Sequence, residues 1–124
     1  MAVVVDSCIW VDHFNRHDPS LARLLAEGEV LITETVLGEL LVGNLVRRKL
    51  TAKSLLQLPR LATPGFDFVL HFLEEFQIFG LGLGWGDLNI LATCYEQNIP
   101  LYTRDLRLQK AASKLSIAYR PSTS

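Results

Sequence analysis

Four carboxylates are the residues of this chain best placed to do chemistry: Asp6, Glu39, Asp87 and Asp105. Asp6 closes the apolar run Ala2-Val3-Val4-Val5, and Asp105 follows a second short run, Pro100-Leu101-Tyr102-Thr103, by way of Arg104. Asp87 opens a helical pattern after a glycine-rich stretch, and Glu39 interrupts the apolar stripe of another helix between Gly38 and Leu40. Taken singly, each has a structural role to fill: a helix cap for Asp87 or Asp105, a strand-end turn for Asp6, a partly exposed acid for Glu39. Together they point to a site. Carboxylates gathered within a few ångströms repel one another and raise their pKa values unless a positive charge sits among them. With oxygen ligands and no His or Cys at ligand spacing, the expected cation is Mg²⁺ or Mn²⁺. Such a pocket suits phosphodiester hydrolysis, because one ion makes hydroxide available from water at neutral pH and a second, about 4 Å away, stabilises the leaving oxygen.

Ser7, directly after Asp6, and Thr103, two residues before Asp105, can orient a carboxylate or a metal-held water through their hydroxyls. Neither is placed like a nucleophile beside a base, and His13, His17 and His71 fall at no triad or metal spacing. Arg104, Arg107 and Lys110 could align the phosphates of a nucleic-acid substrate.

The elements that must position these groups follow from the apolar pattern. The run at 2–5 reads as a strand buried on both faces, as in the middle of a parallel sheet. Ser7 is expected to cap a short helix over 8–14, and Asp18-Pro19 to start another that Gly28 ends. Residues 30–32 read as a second buried strand. Thr33 or Thr35 then caps a helix to about Arg48, with Val36, Leu37, Leu40, Leu41 and Leu45 at helical spacing. A shorter helix opens at Thr51 and stops at Pro59, and after the turn at 63–65 a very apolar helix runs from Phe66 to Phe76. This aromatic-rich helix pair is read either as a partner-facing surface or as an internal core face. The glycine run from Gly80 to Gly86 matches neither a dinucleotide fingerprint nor a Walker loop and is read as an entry to the helix that Asp87 begins. A strand at 100–103, a final helix from about Leu106 and an edge strand at 117–119 complete the chain. Strand and helix alternate throughout, which predicts an α/β fold with a mostly parallel sheet and helices on both faces.

A length of 124 residues fits one domain, expected over 1–120 with a tail at 121–124. Hydrophobic residues make up 49% of the chain and the mean hydropathy is +0.24. Both are high enough to predict an oligomer that covers apolar surface. The net charge of −1 makes no global case for nucleic-acid binding. Its distribution says more: seven acids against Arg16 and Arg23 up to Glu39, but Arg104, Arg107, Lys110, Lys114 and Arg120 against Asp105 alone from Leu101 onward. Cys8 and Cys94 fit no zinc or disulfide pattern and are read as packing residues. No apolar stretch approaches the length of a membrane span, so a cytoplasmic protein with no membrane partner is expected.

Four stretches, in this order and spacing, resemble the PIN domains, and among them the VapC-type toxins of toxin–antitoxin pairs. They are Val5-Asp6-Ser7-Cys8-Ile9-Trp10-Val11-Asp12, Val36-Leu37-Gly38-Glu39-Leu40-Leu41-Val42-Gly43, Asp87-Leu88-Asn89-Ile90-Leu91-Ala92-Thr93 and Leu101-Tyr102-Thr103-Arg104-Asp105. The resemblance implies a three-layer α/β/α domain with four or five strands. It also implies a Mg²⁺- or Mn²⁺-dependent endoribonuclease with Asp6, Glu39, Asp87 and Asp105 as its acidic quartet, a homodimer, and an antitoxin that blocks the active site. Leu88 and Asn89 depart from the small apolar residues usual in the family, and Leu108 is the nearest candidate for a frequent Phe. A PIN nuclease that processes RNA without being a toxin would share this chemistry. A receiver-like phospho-acceptor is the other alternative, but Ser7 stands where it needs a second acid and Arg104 where it needs a Lys. A binding module that has kept the fold without activity would tolerate the loss of one of the four acids.

Overall fold

The three residues Val3, Val4 and Val5 are completely buried and form the central strand of the sheet. The computed structural model describes residues 1–121, so the tail expected at 121–124 lies, apart from Pro121, outside the described residues. In chain order the elements are β1 (Val3–Val5), α1 (Ser7–Arg16), α2 (Pro19–Ala26), β2 (Val30–Thr33), α3 (Glu34–Val42), α4 (Arg48–Leu56), β3 (Arg60–Leu61), α5 (Phe66–Glu75), α6 (Trp85–Gln97), β4 (Leu101–Tyr102) and α7 (Leu106–Lys114). The four strands make one parallel sheet in the order β3-β2-β1-β4, flanked by the helices in an α/β/α arrangement. The expected edge strand at 117–119 contracts to a single bridge, Leu101 with Ala118.

The order matters for function. The chain moves outward from β1 through β2 to β3 and then returns to the other side of β1 for β4. The boundary between β1 and β4 is therefore the switch point of the sheet, and in open α/β sheets the crevice beyond the strands' carboxyl ends at that point is where ligands bind. Register pairs Val5 with Tyr102, so the residues that follow, Asp6 and Thr103, emerge side by side.

Several local expectations are corrected. Asp6 rather than Ser7 caps α1, its carboxylate accepting from the Ser7 N–H at 2.8 Å. The carboxylate reaches that N–H with the strand-end backbone still extended, at ψ 157°. Helix α3 stops at Val42 instead of continuing to Arg48, leaving Leu45 in a loop. The Arg48 guanidinium closes that loop by donating to the carbonyls of Leu41 (2.6 Å) and Gly43 (3.0 Å), and α4 starts at Arg48, not Thr51. The two-residue β3 was not anticipated: next to Pro59 it is too short to show an apolar period. Helix α6 begins two residues before Asp87, with Gly84 at the N-cap and Asp87 reaching back to accept the Gly84 N–H at 3.1 Å.

Candidate active site

The acids converge at the carboxyl edge of the sheet because α3 packs against both α1 and α6. Asp6 stands at the start of α1, Asp87 in the first turn of α6, and Glu39 on the exposed side of α3 between them. The sequence pattern had put Glu39 within the apolar stripe, but α3 buries Val36, Leu37 and Leu40 and turns Glu39 to the mouth of a cleft. That cleft, about 260 Å³ in volume, lies between α1 and the loop after α3, with Ser7, Phe14, Asn15, Glu39 and Asn44 among its walls. Partial burial, and then the charges of Asp6 and Asp87, push the Glu39 carboxyl above its usual range. Glu39 thus lies within reach of the charges of Asp6 and Asp87.

Asp6 is 6% exposed, and both its oxygens are held. Oδ1 accepts the Ser7 N–H, while Oδ2 accepts the Thr103 hydroxyl at 2.7 Å and the Cys8 thiol at 3.5 Å. Thr103 Oγ1 in turn accepts the Asp105 N–H at 3.1 Å, so Asp105 is coupled to Asp6 through one hydroxyl. Asp105 caps α7, its Oδ1 accepting from Arg107 (3.0 Å) and Leu108 (3.1 Å), which leaves Oδ2 outside these bonds. Ser7 contributes its backbone N–H and lines the cleft.

Among the described residues, no three His, Cys, Asp or Glu side chains close into a metal cage. The donor chemistry nevertheless fits Mg²⁺ or Mn²⁺: Mg²⁺ keeps several waters and is commonly held by one or two carboxylates plus substrate phosphates. A carboxyl raised by burial and by neighbouring acids, as Glu39 is, is the electrostatic counterpart of such a site.

The basic residues separate. Arg104 is committed to two acids outside the quartet, Asp12 at 2.8 Å and the buried Asp18, a different geometry from the phosphate role the sequence suggests. Arg107 lies over the glycine loop, 3.4 Å from the Gly82 carbonyl, and shares a cleft of about 170 Å³ with Leu81, Lys110 and Lys114. Glycine suits position 82. Its φ is +81°, and a Cβ would stand 2.7 Å from the Arg107 guanidinium.

Sequence reasoning left Asp18 and Tyr102 out of the site. Asp18 appeared only as a helix cap, which it is, accepting the Leu21 N–H at 2.9 Å. It also accepts the Tyr102 hydroxyl, 3.2 Å from each oxygen, and the Arg104 guanidinium. The available signal was the alternation at 102–104, two long polar side chains flanking Thr103 in an extended segment. Cys8 differs from a packing residue in touching Asp6, Thr103 and the Arg104 N–H. Cys94 is wholly buried, and burial followed by the Asp6 charge pushes its thiol up to about 12, so it stays protonated.

Asp18 gives a pH prediction. Burial works to raise its pKa, but the Leu21 N–H and the Arg104 and Tyr102 donors outweigh it, and the net shift is downward. A lowered carboxyl stabilises the fold above its unfolded pKa of about 3.9, and that contribution disappears as pH falls through the folded value. Urea unfolding from pH 6 down to pH 3 should show the wild type losing about 1 kcal/mol that Asp18→Asn does not lose. Parallel pH profiles for the two proteins would contradict this.

The sequence pattern of the PIN domain family matches residues 3–114, and the chain belongs to that family. Among its relatives is Ribonuclease VapC32 of Mycobacterium tuberculosis, 29% identical over 117 residues that cover 94% of each protein. The fold is shared with the crystal structure of VapBC2 from Rickettsia felis bound to a DNA fragment from their promoter (TM-score 0.68, 21% identity, 95% of this chain and 96% of that one). It is shared too with FitAB bound to IR36 DNA (TM-score 0.65, 12% identity, 98% and 99%).

Proposed function

We propose that this chain is a divalent-metal-dependent endoribonuclease and the toxin of a toxin–antitoxin pair, with Asp6, Glu39, Asp87 and Asp105 as its catalytic acids. The observation that carries the reading is the group of acids at the carboxyl edge of the sheet, where burial and then the charges of Asp6 and Asp87 raise the Glu39 carboxyl and Thr103 couples Asp105 to Asp6. Membership of the PIN family and likeness to Ribonuclease VapC32 support it.

Asp6, Asp87, Glu39 and Asp105 would hold Mg²⁺ or Mn²⁺, which when bound activates a water at neutral pH and neutralises charge on the leaving oxygen. The protein's own part is orientation. Thr103 and the Ser7 N–H fix both Asp6 oxygens, so that carboxylate need not reorganise when substrate arrives. Arg107 and Lys110, with Lys114 beyond them, line a cleft two residues past Asp105 and suit the phosphates flanking the scissile bond. Arg104 has a weaker claim to that role because two carboxylates occupy it.

Two protein partners belong to the same reading. The structural neighbours VapBC2 and FitAB are complexes bound to DNA, which supports an antitoxin partner for this chain. Phe66 (65% exposed) and Trp85 (46% exposed), their rings 5.4 Å apart, form with the exposed Leu70, one helical turn on from Phe66, an apolar surface that suits a homodimer. Among the described residues no helix is long and apolar enough to cross a membrane, and a cytoplasmic location is part of the proposal.

The test is cleavage of total RNA by the purified protein with Mg²⁺, with Mn²⁺ and with EDTA. Discrete fragments in either metal and intact RNA in EDTA are expected. Equal cleavage in EDTA, or none in either metal, would refute the nuclease reading.

A further inference from the structure

We propose that Arg104, Asp18 and Tyr102 form a positioning device that clamps the segment 103–105 against Asp6 and thereby sets how tightly the acid pocket holds a divalent cation. The proposal rests on the reading of that pocket as a cation site. It concerns residues that make no contact with the quartet's carboxylates and that the cleavage chemistry leaves unused.

The geometry begins with the alternation of an extended chain, in which successive side chains leave on opposite sides. Tyr102 and Arg104 leave on one side and both end on Asp18. Thr103 leaves on the other and ends on Asp6. Asp18 is itself fixed: it is 5% exposed and is the N-cap of α2, and the guanidinium that reaches it also binds Asp12 on α1. With the side chains before and after it anchored to α1 and α2, Thr103 has little freedom to leave Asp6. Three further bonds hold the same segment, from Gln109 Nε2 to the Thr103 carbonyl (2.7 Å), from the Arg104 N–H to Cys8 Sγ (3.5 Å) and from the Asp105 N–H to Thr103 Oγ1.

An ion pair between a buried carboxylate and a half-exposed guanidinium is a poor source of net stability, since desolvation of the carboxylate and solvent screening of the cation offset the attraction. What it does supply is a defined geometry. Here the geometry delivered is the orientation of Asp6 Oδ2 and the placement of the Asp105 N-cap, both in the acid pocket.

Charge and position make opposite predictions for Arg104. As a nearby positive charge alone, it would repel a divalent cation, and its removal would tighten binding. As a positioning residue, its removal lets the 103–105 segment drift and weakens binding. Loss of outer-sphere partners typically costs a metal site 10–100-fold in affinity or activity.

The experiment measures Mn²⁺ affinity of the whole purified protein by water-proton relaxation, for the wild type, Arg104→Ala, Arg104→Lys and Tyr102→Phe. RNA cleavage is measured in parallel, and near-ultraviolet circular dichroism checks the fold. Mn²⁺ affinity should fall about 10-fold or more in Arg104→Ala, less in Tyr102→Phe, with partial rescue in Arg104→Lys. The cleavage kcat should fall in the same order while KM for RNA stays unchanged. If Arg104→Ala does not fold, Tyr102→Phe, which loses a single hydroxyl, decides the matter by the same readout. Unchanged or tighter Mn²⁺ binding in folded variants would overturn the proposal, and a raised KM at constant kcat would make Arg104 a phosphate contact instead. If the wild type binds no Mn²⁺, the cation reading of the pocket falls and the proposal with it; if the wild type binds and cleaves but the variants match it, the proposal alone falls.

Discussion

Asp6→Asn should leave a folded protein whose metal-dependent RNA cleavage is at least about a hundredfold slower, since on the proposed reading it removes a direct ligand, which costs no less than removing an outer partner. The fold should survive because Asn is as good a helix N-cap as Asp and can accept the Ser7 N–H in the same way. Volume is also conserved, so no cavity opens beside β1. What changes is one negative charge and one acceptor. The Thr103 hydroxyl loses Oδ2 as its acceptor, while the repulsion that raises Glu39 is relieved. These two effects oppose each other in stability and act together against activity. Initial cleavage rates in Mn²⁺, compared at matched circular-dichroism spectra, provide the check. Wild-type rates in the variant would exclude Asp6 from the catalytic machinery.

The largest effect on stability is expected at Phe72. It is 2% exposed, and its ring packs against Phe76 at 5.3 Å and Tyr95 at 5.4 Å, joining α5 to α6. Truncation to Ala removes that aromatic contact and leaves a hole that rigid neighbours fill only in part. A loss of about 3–5 kcal/mol is expected, read as a shift in the urea midpoint at unchanged slope. Phe68, on the same helix but 36% exposed, should cost less than about 1 kcal/mol when changed to Ala. Because α6 carries Asp87 in its first turn, loosening the α5–α6 contact should also lower cleavage below the unfolding midpoint. Equal stability losses at Phe72 and Phe68 would show that α5 is not divided into a core face and a free face.

That division resolves two readings the apolar pattern left open for this helix. Val69 and Phe72 serve the core, whereas Phe66, Phe68 and Leu70 remain exposed. An apolar residue all round a helix does not reveal which side the rest of the chain will cover, because covering comes from elements distant in sequence.

Local signals carried much of the rest. Contiguous apolar runs identify β1 and β2, since a strand buried on both faces needs no polar alternation. Asp18-Pro19 and Asp105 mark helix starts because a carboxylate at the cap satisfies free N–H groups whatever the tertiary context. Where two local signals competed, at Ser7 against Asp6 and at Asp87 against Gly84, the boundary slipped by one to three residues.

The sequence by itself determined the α/β class and the parallel sheet and singled out the four acids as candidates, because each depends on residue type and short-range period. Only the tertiary structure decided the strand order that puts the switch point between β1 and β4, the turning of Glu39 toward Asp6 and Asp87, and the commitment of Arg104 to Asp12 and Asp18. The reason is range: Tyr102 and Arg104 meet Asp18 across 84 and 86 residues of chain, and no local period encodes a contact made only when β4 inserts beside β1.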